Sequence, residues 1–174
     1  MKRTEWFERK FSPITDSGLL PGIIERLAGT PLRLEAKVRK ITPALLEQRS
    51  GTKWSVKKEI GHLNDLEPLW LGRVTQIQAG IPELTAADLT NRKTHEADHD
   101  DRLLVDLLLD FSTSRDKLIT KLKSLRDDDL KKASVHPRLK TPMTITELAY
   151  FVAEHDDHHL AQISSLSEEF DKGN

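Results

Sequence analysis

The chain has 174 residues, with 27 Lys and Arg against 28 Asp and Glu, and no cysteine. This length fits a single domain over residues 1–174 with bulk enough for a real core, and a net charge of −1 offers no electrostatic footprint for nucleic acid or an anionic membrane. The lack of cysteine excludes disulfides, thiolate-ligated zinc, iron–sulfur clusters and a cysteine nucleophile, and it fits a cytoplasmic setting.

The chain starts Met1-Lys2-Arg3-Thr4-Glu5-Trp6, without the apolar stretch of a signal peptide. No apolar run approaches the ~20 residues that span a bilayer. Residues 1–17 read as an arm carrying Trp6, Phe7 and Phe11. A first helical segment covers about residues 19–40, with Leu20, Ile23, Ile24, Leu27, Leu34, Val38 and Ile41 at helical spacing. Gly29 and Pro31 interrupt it. Either Thr30 caps a new helix with Pro31 in its first turn, or Pro31 kinks a continuous one; the unbroken phase from Leu27 to Leu34 favours the kink. Thr42-Pro43 opens a short turn through Gln48.

A second helix is expected from Ser55, its N-cap, to Ala79, with Pro68 bending it and Val56, Ile60, Leu63, Leu66, Trp70, Val74 and Ile77 as its apolar arc. Residues 80–99 are rich in Gly, Pro, Thr, Asn and charge, and form a long connection of the kind that often carries function. The third helix covers about Asp101–Leu125. A second polar connection spans Arg126–Pro142, including the charge run Asp127-Asp128-Asp129, read as solvated or as the start of a short helix. The fourth helix begins with Thr144 and Glu147 in capping-box spacing. No strand pattern stands out. Four amphipathic helices of about 20 residues or more, joined by two long crossovers, predict an all-α four-helix bundle.

The chemistry centres on His155 and His159. Leu148, Val152, His155, His159, Ile163, Leu166 and Phe170 step by 4, 3, 4, 4, 3 and 4, so both histidines occupy core positions one turn apart. A buried imidazole must be hydrogen-bonded or coordinated, since an unsatisfied buried polar group costs roughly 1–3 kcal/mol. His158 falls off the stripe and reads as a rim residue. A pair can hold one metal ion, and a catalytic zinc-like site uses three protein ligands. His62, at the margin of the second helix's arc and next to Gly61, is the third candidate. Glu59, one turn earlier, reads as a hydrogen-bond partner of a ligand, a fourth ligand or a general base. His95-Glu96-Ala97-Asp98-His99 matches the zinc-protease pattern H-E-x-x-H, but acidic neighbours and the missing apolar stripe point to a solvated loop. A role for His95 or His99 at the mouth of the bundle site stays open. No G-x-S-x-G or phosphate-binding glycine loop occurs.

Trp54-Ser55-Val56, then His62-Leu63, then the late-helix pair His155 and His159 resemble the DinB-like superfamily, and within it the small metal-binding proteins related to YfiT. The resemblance covers about residues 19–170. It implies a four-helix bundle and one divalent ion, most often zinc or nickel, held by His62, His155 and His159. Family members include bacillithiol-type thiol S-transferases, a mycothiol-dependent isomerase and proteins called hydrolases. Taken together, a metal-dependent enzyme is expected that activates a small thiol or water. A low-molecular-weight thiol is then the co-substrate of a transferase, and Glu59 the base of a hydrolase. The rival is a stress-response or interaction protein with a structural metal. Histidine ligands suit zinc, nickel, iron and copper alike. The expected partner is a small-molecule substrate, and the spare aromatics of the arm point to a homodimer.

Overall fold

Ser55 fixes the start of the longest early helix: its hydroxyl accepts from the Lys58 N–H at 3.0 Å, capping α3 (Val56–Gln78), which runs unbroken through Pro68. In the computed structural model, which describes residues 3–172, α3 follows α1 (Leu20–Ala28) and α2 (Thr30–Val38). These two meet at Gly29, which keeps right-handed dihedrals (φ −75°, ψ −13°). The Gly29 N–H donates to Glu25 O at 2.9 Å, and the Arg33 N–H to Gly29 O at 3.0 Å. The ladder thus carries on past the proline, as a kink requires. Thr30 caps nothing; its hydroxyl turns inward to Asp156 Oδ2 at 2.8 Å. The last long helix, α7 (Ile145–Lys172), starts as its sequence says. Glu147 Oε2 accepts from the Thr144 N–H at 2.7 Å, and Thr144 Oγ1 accepts from the Glu147 N–H at 3.3 Å.

Between these lie α4 (Arg92–Glu96), α5 (Leu104–Lys123), α6 (Asp127–Leu130), and the strands β1 (Ala133–Val135) and β2 (Pro142–Thr144). Four long rods, α1/α2, α3, α5 and α7, make a four-helix bundle. In it α5 packs on α1/α2 and α3, and α7 packs on the same two, leaving α1/α2 opposite α3 and α5 opposite α7. Residues 39–55 and 124–144 are therefore the two connections that cross the bundle diagonally. The connection 79–103 joins neighbours, so its length serves something other than the crossing. No helix among the described residues is long and apolar enough to cross a membrane.

The strands correct the strand-free reading. β1 and β2 pair antiparallel, Ser134 opposite Met143. Three residues each is too short for a period-2 pattern to stand out. The hairpin also ties down the connection after α3, since the Leu84 N–H donates to Val135 O at 3.0 Å and the Val135 N–H to Pro82 O at 2.8 Å.

The apolar core comes in two halves. Leu27, Trp70, Leu118 and Leu148 belong to one; Leu34, Ile60, Phe111 and Ile163 belong to the other. Each fully buried aliphatic contributes about 1.5–3 kcal/mol by leaving water. Every rod crosses between the halves at a buried polar residue: Thr30, Glu67, Arg115 and Asp156. Arg115 donates to Glu67 Oε1 at 2.6 Å, to both Asp156 oxygens at 2.5 and 3.0 Å, and to Leu27 O at 3.2 Å. Two carboxylates hold the guanidinium ionised despite its burial. This polar layer sits beside the histidines, because Asp156 is next to His155 on α7.

Candidate metal centre

His155 and His159 project from successive turns of α7, and their Nε2 atoms stand 3.1 Å apart. His62 faces them from α3, with ring centres 4.8 Å from His159 and 5.4 Å from His155. One ring nitrogen of each lies within 4.8 Å of the others, and all three side chains are buried.

The outer nitrogens are held from behind. Asp65 Oδ2 accepts from the Thr94 hydroxyl at 2.9 Å. Thr94 Oγ1 has therefore given its proton away, and at 3.0 Å it accepts from His62 Nδ1–H. This fixes the His62 tautomer and leaves its Nε2 lone pair for the cluster. His159 Nδ1 lies 2.5 Å from Glu59 Oε2, and when that carboxyl is ionised the ring donates from Nδ1 and turns its Nε2 lone pair inward. His155 is wedged between two indoles, edge-on at 5.0 Å to Trp6 and 5.6 Å to Trp70, and its buried Nδ1 has no hydrogen-bond partner.

Burial, with His159 alongside, pushes His62 down to about 2. Burial likewise carries His155 well below its ordinary value and His159 to about 4. All three are neutral at pH 7, the form that binds metal. Burial raises the Glu59 carboxyl to about 8. Glu59 and His159 thus titrate as a coupled pair that carries no net charge at neutral pH in the metal-free protein. Two Nε2 atoms 3.1 Å apart, with a third imidazole facing them, all three rings neutral and two of them held from behind, fit a divalent cation.

A cavity of about 420 Å³ opens onto these rings. Its walls include Trp54, Trp70, Phe151 and Leu66, together with Trp6 from the arm. The arm is laid along α7 by Arg3, which donates to His158 O at 3.1 Å, and by the Ile14 N–H, which donates to Glu147 Oε1 at 3.0 Å.

The structure thus brings together His62, His155, His159 and Glu59, and puts the half-buried His158 on the cavity wall. The solvated reading holds for His95, Glu96 and Asp98, which are exposed, and fails at His99. His99 is 5 % exposed and its Nε2–H donates to Asp65 Oδ2 at 2.9 Å, while His95 packs on Trp54 with ring centres 5.4 Å apart. The two rings take different partners, so the H-E-x-x-H match forms no pair. Burial works to raise the Asp65 carboxyl, but hydrogen bonds from His99, Lys93 and Thr94 outweigh it and hold it low. Asp65 was legible in principle, since it lies one turn after His62 on the same helix face. Thr94 and His99 carry no such signal, because the five-residue α4 and the turn after it are too short to show a period. Trp6 and Phe11 pack against Phe151, at 5.0 and 4.8 Å. Two of the three aromatics read as spare are therefore used within the chain, which removes them as an argument for a dimer.

The sequence matches the model of the DinB superfamily over residues 26–163. No curated protein matches it significantly. Among solved structures it is similar to YfiT from Bacillus subtilis, with a TM-score of 0.77 and 21% identity over 93% of each chain. That protein is described as a probable metal-dependent hydrolase with an unusual four-helix bundle topology. At this identity the likeness shows a shared fold.

Proposed function

Since the chain belongs to the DinB superfamily, we propose that it is a metal-dependent enzyme that activates a small nucleophile, a thiol or water, against an organic substrate held in the cavity. The observation that carries this reading is the convergence of three buried, neutral imidazoles on the wall of a 420 Å³ aromatic cavity. A purely structural ion would need no chamber beside it.

His62, His155 and His159 would hold a divalent cation, which would supply the Lewis acidity that lowers the pKa of a thiol or water towards neutrality. The chain's own groups do the rest. Thr94 and Asp65 keep His62 aimed, and Glu59 keeps His159 aimed and supplies a compensating carboxylate. Trp6, Trp54 and Trp70 exclude water from the rings and give a substrate flat apolar surfaces. Glu59 is engaged with His159, which leaves it poorly placed to serve as a free base. This favours a thiol, which needs less help to ionise than water does. The hydrolase reading keeps its support in the description of YfiT.

Cobalt substitution tests the proposal. Titrating the cobalt protein with a low-molecular-weight thiol is expected to produce a sulfur-to-cobalt charge-transfer band. A spectrum that responds to pH and not to thiols would favour water. A spectrum unchanged by thiols, anions and pH would leave the ion a structural staple and end the proposal.

A further inference from the structure

The same cavity has a second polar corner, where hydrogen-bond donors of Arg73 and His136 face one another. His136 is 2 % exposed. Its Nδ1 accepts two backbone N–H groups, from Arg138 and Leu139, each at 3.2 Å. In a neutral imidazole the proton must then sit on Nε2. Burial, with Arg73 and Arg138 nearby, holds His136 down at about 4, so it is neutral at pH 7. Arg73 Nη1 lies 3.3 Å from that same Nε2. A guanidinium has only donors. The contact is therefore N–H against N–H, and it lacks an acceptor.

Arg73 is itself 1 % exposed. Its Nε and Nη2 are spent on Thr85 O, at 3.0 and 2.8 Å, which leaves Nη1 as the arm without an acceptor. Arg138 adds a second cation, with its guanidinium carbon 5.9 Å from the Trp6 ring centre and 5.7 Å from that of Phe151, and its Nη2 is buried without a partner. Among the described residues, no carboxylate forms an ion pair with Arg73 or Arg138. Asp88, an acidic residue of the cavity wall, is taken up by Thr90 and by the Arg92 N–H. A buried cation, a half-buried one and a buried imidazole N–H without a counter-ion are costly unless a ligand supplies one.

We propose that Arg73, His136 and Arg138 form a carboxylate-binding subsite, so that the substrate is a small organic acid lying along Trp70 from this corner to His155. Trp70 joins the two corners: Arg73 Cζ lies 5.3 Å from its ring centre and the His155 ring centre lies 5.6 Å from it. A carboxylate offers two oxygens to the Arg73 Nη1–H and His136 Nε2–H, with Arg138 completing the charge balance. The inference rests on reading the cavity as a substrate site and does not require the ion.

The test uses the full-length, zinc-loaded protein. Long-range ¹H–¹⁵N NMR is expected to find His136 as the Nε2–H tautomer; an Nδ1–H tautomer would overturn the proposal. Phenylacetate is the probe, and its neutral counterpart phenylacetamide and the phosphate ester phenyl phosphate are the controls, followed by tryptophan fluorescence and the His136 Nε2 shift. Phenylacetate is expected to move that shift and to bind about tenfold or more tighter than the amide, with Arg138→Gln removing the preference. Equal binding of acid and amide, or a preference that survives Arg138→Gln, would overturn the subsite. Phenyl phosphate binding in place of phenylacetate would overturn the carboxylate assignment. A carboxylate that bound the ion directly would be lost in His62→Ala and kept in Arg138→Gln. A protein that carries no metal yet keeps the Arg138-dependent preference would sink the metalloenzyme reading alone.

Discussion

His99 occupies the space where residue 61 would carry a side chain: a Cβ built on Gly61 would lie 2.3 Å from His99 Cγ and 2.5 Å from its Nδ1. The glycine lets a loop histidine reach Asp65, which holds Thr94, which holds His62. Gly61→Ala is therefore expected to destabilise the protein by about 1–3 kcal/mol through overpacking and to weaken metal binding through His62. A helical glycine with free space beside it behaves in the opposite way, gaining roughly 0.5–1 kcal/mol on change to alanine. Chemical denaturation of the two proteins decides by the sign of the difference.

Glu59 and His159 form the other support. Glu59→Gln keeps the size of the side chain but removes the carboxylate that orients the ring and balances a cation. Loss of such a supporting group typically costs 10–100-fold in metal affinity, and about that loss is expected in competition with a chromogenic chelator. Affinity within about twofold of wild type would show that the 2.5 Å contact contributes nothing to binding.

The bundle was legible because its helices carry long apolar stripes and marked ends, and Ser55, Thr144 and Glu147 do what their spacing says. The same phase argument placed His155 and His159 inward. Applied to α5, it would also have found Arg115, which falls between Phe111 and Leu118 at steps of 4 and 3. An arginine there reads as a break in the stripe until Glu67 and Asp156 are seen to face it from two other helices. Thr94, His99, His136 and Arg138 were out of reach for a different reason. They come from a five-residue helix, a loop and a hairpin, too short or irregular for a period to relate sequence distance to direction, and Thr94, His99 and His136 meet Asp65 or Arg73 from 29 to 63 residues away. Trp6 was readable as an aromatic in an arm, but its place beside His155 depends on where α7 happens to pass.

The polar layer between the two core halves yields a stability prediction. Asp156→Ala leaves Arg115 with one carboxylate and Thr30 with only its longer bond to Arg26 O, at 3.3 Å. Removing one partner of a buried ionic group costs about 3–5 kcal/mol, and a loss of that size is expected in urea unfolding. A cost below about 1 kcal/mol would mean that water reaches the layer and that the two halves of the core are less separate than they look.

Acid should unfold the metal-free protein early. His62, His155, His159, His136 and His158 all have folded-state values below the ordinary 6.5, chiefly through burial. Below pH 6.5 the unfolded chain takes up protons that the folded chain refuses, so stability is present above 6.5 and is lost as pH falls towards 4. Glu59, between 4.5 and about 8, and Glu67, also raised by burial, act in the opposite sense, but they are two groups against five. The melting temperature in chelator is expected to fall steeply from pH 6.5 to 4.5. A flat profile across that range would show that the imidazoles are hydrated and free to charge.

The central claim is that His62, His155 and His159 together hold one divalent ion. It is tested most directly by metal content, measured by elemental analysis of the purified protein and of single alanine variants after equilibration with a slight excess of zinc and of nickel. The account predicts one equivalent in the wild type, a sharp loss in His62→Ala, His155→Ala and His159→Ala, and near-full occupancy in His95→Ala and His158→Ala. A protein that binds neither metal, or one that loses its metal in His95→Ala while His155→Ala retains it, would contradict the account.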